Sequence, residues 1–156
     1  MTDFLHGTRP GAVALLTTEL NSLSATAGTL TSAGPAVTPG TTGNLTSRVP
    51  WGDLWLKIAS SSGAYTSASF VNVYFLTAID GTNYPKISGN NIAKANYFAG
   101  SIAIYPATLS SEVIYEGRLR IRIPNVPFKA VLENQSGIAF PASGNTLDLY
   151  PQADSY

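Results

Sequence analysis

Three arginines alternate with aliphatic residues in GRLRIRIP: Arg118, Arg120 and Arg122 against Leu119, Ile121 and Ile123. Residues two apart on a strand share a face, so this spacing lines up three guanidiniums on one side and three apolar groups on the other. Guanidiniums in a row grip carboxylates or a phosphate backbone through forked N–H donors. A half-buried strand with a solvated outer face gives the same pattern without any ligand. The chain carries nine Lys plus Arg against nine Asp plus Glu and has no net charge. That balance favours protein carboxylates over nucleic acid as the partner of the arginine row.

A second pairing sits in WGDLWLKIAS. Trp51 and Trp55 are four apart and therefore point to one side of a strand, opposite Leu54, Leu56 and Ile58. One face enters a core, and the tryptophan face suits a partner surface, where Trp is enriched. A strand buried on both faces is the competing reading. The candidate interface residues are thus Trp51, Trp55, Arg118, Arg120 and Arg122.

Catalytic chemistry finds little support. Glu112 and Glu116 are a close pair of carboxylates in sequence, but four strand residues separate them by about 13 Å, too far for a glycosidase pair. Ion pairs with the following arginines account for them better. His6 is the one histidine and there is no cysteine, so neither a zinc site nor a Ser-His-Asp triad is supported. In DGTNYPKISGNN, Asp80, Asn83, Asn90 and Asn91 offer oxygens, yet Thr82 and Tyr84 stand where an EF-hand needs ligands. A hairpin tip built on the Asp80-Gly81 step is the better reading. The expectation is a non-enzymatic protein with no cofactor and no metal.

The elements that would position these residues are strands. A chain of 156 residues is one domain by length and can bury a core without staples. Charged residues are 12% of it, against roughly 25% in ordinary globular chains. Residues 1–50 read as an N-terminal arm or meander, rich in Thr, Ser, Gly, Ala and Pro and uncharged between Glu19 and Arg48. Leu16, Leu20 and Leu23 recur at helical spacing and allow one short helix there. Residues 51–156 read as strands: WGDLWLKIAS, FVNVYFLTAI, SIAIYP, EVIYEGRLRIRIP with Gly117 as a possible bulge, PFKAVLEN, GIAF and TLDLY. Short strands with frequent turns and no helices between them predict an all-β antiparallel β-sandwich, jelly-roll-like, with an extended N-terminal arm. No segment reads as a secretory signal or membrane span.

The motifs DGTNYP and RIRIPNVPFKAVLENQSGIAFPASGNTLDLYP, with TELNSL at residues 18–23, resemble a group of small proteins encoded among the structural genes of tailed bacteriophages. The resemblance implies a virion structural protein made in the host bacterial cytoplasm, and no catalytic residue carries over from it. The expected role is a capsid decoration or cement protein, trimeric, with the major capsid protein as partner and no membrane or nucleic acid. A tail, baseplate or fibre-attachment module is the first alternative. A carbohydrate-binding β-sandwich with Tyr65, Tyr74, Tyr84 and Tyr97 as aromatic platforms is the second.

Overall fold

The computed structural model describes residues 11–25, 30–40, 51–59, 65–66, 68–86, 97–109 and 112–152. Among the described residues eight strands are formed: β1 (Val13–Leu16), β2 (Trp51–Ile58), β3 (Phe70–Thr77), β4 (Tyr97–Ala103), β5 (Tyr105–Leu109), β6 (Glu112–Arg122), β7 (Phe128–Asn134) and β8 (Thr146–Pro151). They make an antiparallel five-stranded sheet, ordered β1-β8-β2-β6-β5, facing a three-stranded sheet, ordered β4-β3-β7. The segment 30–37 continues the smaller sheet beyond β7 through isolated bridges Leu30↔Glu133 and Val37↔Phe128.

With that segment counted as the second element, the pairings nest. β1 pairs with β8, 30–37 with β7, β2 with β6, and β3 with β4. Nested pairing is what a long antiparallel ribbon gives when it is rolled across two sheets, and it defines the jelly roll. β4 and β5 are nearly continuous. The chain crosses between sheets at Ile104, whose N–H donates to the Ser69 carbonyl at 3.0 Å.

Alternation decides which side chains enter. Leu54, Leu56 and Ile58 of β2, Leu147 and Leu149 of β8 and Ile121 of β6 meet Val71, Val73 and Phe75 of β3, Ile102 of β4 and Phe128, Ala130 and Leu132 of β7. The rings of Phe75 and Phe128 lie 4.7 Å apart at 52°. Burying each large side chain contributes about 1.5–3 kcal/mol, so this interior holds the sheets face to face.

The described parts of the 1–50 stretch lie along the sandwich. In β1 the register shifts between Ala14 and Leu16, and both Leu15 and Leu16 are buried. Leu16, Leu20 and Leu23 all reach the core, but the helix suggested by their spacing is one 3₁₀ turn, Thr18–Leu20. Further on, the N–H groups of Thr31, Gly34 and Val37 donate to Leu132, Ala130 and Phe128 carbonyls at 2.9, 3.0 and 2.8 Å. A Cβ on Gly34 would stand 2.0 Å from the Leu15 carbonyl oxygen. Backbone crosses backbone at that point, which is why a side chain is absent.

Two other expectations change, the bulge at Gly117 and the strand at GIAF. Glu112–Arg122 is one unbroken strand, and Gly117 pairs in register with Leu56 and forms no bulge. A Cβ there would lie 2.3 Å from Ile102 Cγ2 and 2.5 Å from the Ala103 carbonyl, so the glycine answers the close approach of β4. GIAF is a loop whose Phe140 is buried and donates its N–H to the Leu23 carbonyl at 3.0 Å.

The turn motifs near the C-terminus are tied by buried asparagines. Asn134 donates to the Leu23 and Ile138 carbonyls and accepts from the Ser136 N–H at 2.9 Å and the Ser136 hydroxyl at 2.6 Å. Asn145 accepts from the Ala59 N–H and donates to the Asn21 side chain and the Pro141 carbonyl. NQSG and SGNT are therefore clasps joining distant loops, one to Leu23 and the other to Asn21 and Ala59.

Gly117→Ala is expected to destabilise the fold by about 1–3 kcal/mol through overpacking, read as a lower urea midpoint. Asn134→Ala is expected to cost about 1–3 kcal/mol by stranding buried carbonyls and N–H groups. An unchanged thermal midpoint by circular dichroism would contradict the role given to Asn134.

Candidate functional site

The outer face of the five-stranded sheet gathers the five candidate interface residues, Trp51, Trp55, Arg118, Arg120 and Arg122. Inward-facing Gly52, Leu54, Leu56 and Ile58 leave Trp51, Asp53, Trp55 and Lys57 of β2 pointing outward. On one side, β6 sets Arg122 opposite Trp51, Arg120 opposite Asp53, Arg118 opposite Trp55 and Glu116 opposite Lys57. On the other, β8 sets Tyr150 opposite Asp53, Asp148 opposite Trp55 and Thr146 opposite Lys57. Directly opposed residues stand about 4.5–5.5 Å apart between Cβ atoms, so the face is a grid of aromatic, cationic and acidic groups.

Contacts within the grid fix its side chains. The Arg118 guanidinium lies 4.1 Å from the centroid of the Trp55 ring, a cation–π contact. Tyr150 packs on the other flank of that indole, with centroids 5.5 Å apart at 46°. Together they enclose Trp55 Nε1, which finds no acceptor among the described residues. Gln152 donates its side-chain N–H to Asp53 and its backbone N–H to the Trp51 carbonyl. Asp148 accepts from the Thr146 hydroxyl at 3.1 Å. Burial beneath its neighbours raises the Asp148 carboxyl above its ordinary value, against the Thr146 hydrogen bond and the Lys57 charge.

Among the described residues, four cations and three carboxylates occupy this face, and apart from Lys57 and Glu116 they are sorted by strand. Arginines run along β6 and acids along β2 and β8, except Glu116 at one end. Of the three arginines, Arg120 faces a carboxylate in register, Asp53, while Arg118 and Arg122 each face a tryptophan; Trp51, opposite Arg122, is 44% exposed. The Trp51–Arg122 corner therefore presents an open aromatic surface beside an exposed guanidinium. Register places Lys57 across from Glu116, which lies two residues before Arg118 on the same face.

The DGTNY stretch does not close a hairpin between adjacent strand ends. It opens the long β3–β4 connection. Gly81 adopts φ 80° and donates to the Ala78 carbonyl at 2.9 Å. Asp80 Oδ1 accepts from the N–H groups of Thr82 and Asn83 at 2.9 and 2.7 Å, and Asp80 Oδ2 accepts from Asn83 Nδ2 at 2.6 Å. Both carboxylate oxygens are thus used inside the turn. Tyr84 then folds back over β7, with Lys129 Nζ 4.7 Å from its ring centroid. An open groove of about 670 Å³ lies between residues 30–33 and 82–86, floored by Leu76. Asn90, Asn91 and His6 lie outside the described residues. Of Glu112, only the backbone placement at the start of β6 is described. Among the described residues, no group of three or more His, Cys, Asp or Glu is placed to hold a metal ion.

The fold and this face define an all-β jelly-roll protein with a built aromatic and cationic surface on its larger sheet. Comparisons with protein-family models, with curated proteins and with solved structures return no match.

The Asn83 backbone N–H, then its side-chain amide, then the Thr82 N–H hold the Asp80 carboxyl down to about 2 from 3.8. A depressed folded value means that the ionised carboxylate stabilises the turn above 3.8 and that this contribution is lost as pH falls toward about 2. An NMR titration should find the Asp80 carboxyl midpoint near about 2. Asn83→Ala should move it part of the way back, because the backbone N–H groups remain.

Proposed function

We propose that this chain is a non-enzymatic bacteriophage virion structural protein that decorates the capsid, docking through the outer face of its five-stranded sheet. The observation that carries the reading is the ladder of Trp51, Trp55, Arg118, Arg120 and Arg122 on two paired strands. Trp and Arg are the residues that most often dominate binding energy at protein interfaces, and here the sheet backbone holds them in place before binding. The chain's resemblance to small tailed-phage structural proteins supplies the setting.

The mechanism is mechanical. The exposed Trp51 ring seats in an apolar depression of the major capsid protein, and Arg122 takes a carboxylate at its rim. Arg118 is already stacked on Trp55 and Arg120 stands in register with Asp53, and the two back that corner. A shell offers many identical docking positions, and a trimer binding across capsomer boundaries gains from several modest contacts at once. Such a role needs a stiff scaffold rather than a pocket, and a jelly roll supplies one.

Quantitative mass spectrometry of purified particles is expected to find the protein in near-stoichiometric ratio to the major capsid protein. A few copies per particle would place it at the tail, baseplate or a vertex, and absence would overturn the virion reading. The double variant Trp51→Ala/Arg122→Ala is expected to stay folded, since both side chains point outward. It should bind undecorated shells at least tenfold more weakly, consistent with loss of about 1.4 kcal/mol or more from one anchor pair.

A further inference from the structure

The outer face of the smaller sheet carries a different chemistry. Asn72 of β3 lies in register between Ser101 of β4 and Glu133 of β7, and all three point outward. Glu133 is 3% exposed, and its carboxylate is the hub. Asn72 Nδ2 and the Tyr74 hydroxyl donate to its Oε2 at 2.9 and 3.2 Å, and Gln135 Nε2 donates to its Oε1 at 2.7 Å. The Ser101 hydroxyl in turn donates to Asn72 Oδ1 at 2.6 Å. Burial, and then the Glu133 charge and hydrogen bond, raise the Tyr74 phenol above its ordinary value, so it remains a donor.

Exposed rings bracket this network. Tyr74 pairs with Phe98, centroids 5.3 Å apart at 48°, and Phe98 is 56% exposed. Phe70, 38% exposed, stands at the other end, four residues back along β3. The strip between Phe70 and the Tyr74–Phe98 pair is about 13 Å long. That is the length of a short oligosaccharide.

We infer that this strip is a binding site for a neutral saccharide. The donors that orient the network leave defined valences facing outward: the Ser101 oxygen lone pairs, the second Asn72 amide hydrogen, the Gln135 amide oxygen and the Tyr74 oxygen. Hydroxyl groups, which both donate and accept, match that mixture. The C–H faces of a pyranose match the rings of Phe98 and Phe70. An apolar protein surface would strand the polar groups without partners. An anionic ligand would be set against the oxygens of the Glu133 carboxyl group, which lie beneath the strip. The hub also pre-orients Asn72 and Tyr74, so little side-chain freedom is lost on binding.

Other aromatic candidates are placed elsewhere. Tyr65 is buried in the core, Tyr84 is taken by Lys129, and the side chain of Tyr97 lies outside the described residues. The site is on the opposite sheet from the Trp51–Arg122 corner and stands independently of the capsid reading.

The test is an array of neutral glycans built from glucose, galactose, mannose, rhamnose and N-acetylglucosamine, probed with the full chain. Bound glycans are then titrated by saturation-transfer NMR. The expected result is saturable binding to at least one neutral glycan, insensitive to salt. It should weaken tenfold or more in Phe98→Ala, whose side chain is too exposed to be needed for folding, and be unchanged in Trp51→Ala. Asn72→Ala should also lose binding. No neutral glycan bound, capture of sulfated or sialylated glycans alone, or binding indifferent to Phe98→Ala would overturn the inference.

Discussion

One antiparallel register positions the candidate docking face: that of β2 between β8 and β6. Trp51 through Lys57 pair residue by residue with both neighbours. A slip by one residue would turn Leu54, Leu56 and Ile58 outward and drive Trp55 and the acids into the core. The apolar side chains therefore lock the polar ones. Trp55 can lie between Arg118 and Tyr150 only because Leu54 and Leu56 are buried behind it, and the same holds for the Arg122–Trp51 pair at the open corner.

Closure of the ribbon is the second constraint, and the chain meets it with small residues. The 30–37 segment pairs with β7 while crossing β1 at Gly34, and β4 crosses β6 at Gly117. Neither place has room for a Cβ. The buried Asn134 and Asn145 then tie the loops between β7 and β8 back to Leu23, Asn21 and Ala59. The NQSG and SGNT motifs thus perform structural tasks. They carry no reactive groups because their side chains are spent on backbone carbonyls and N–H groups.

Charge is scarce in this chain, and its placement is uneven. Of the nine Lys and Arg, Lys57, Arg118, Arg120 and Arg122 share one outer face. The opposite sheet carries a neutral-donor network around one buried carboxylate, with Phe70 and Phe98 exposed beside it. The two faces suit different ligands, one charged and protein-like, the other hydroxyl-rich. A rigid two-sheet body allows both, since neither face has to move for the other to be occupied.

The alternation of Arg118, Arg120 and Arg122 with Leu119, Ile121 and Ile123, and of Trp51 and Trp55 with Leu54, Leu56 and Ile58, could be read directly from the sequence. A strand's period of two is a local property. The all-β class, the strands carrying the arginines and tryptophans, and the turn at Asp80-Gly81 followed from the same local rules. Tertiary structure decided what depends on distant partners. The 30–37 segment, LTSAGPAV, carries no strand pattern, yet its backbone pairs with β7 because the β7 edge offers carbonyls at Ala130 and Leu132. Gly117 resembled a bulge until Ile102 came to lie across it. The Asn72–Ser101–Glu133 network was invisible for the same reason: it joins three strands up to 61 residues apart, and a hydrogen bond between such residues leaves no periodic trace in the chain.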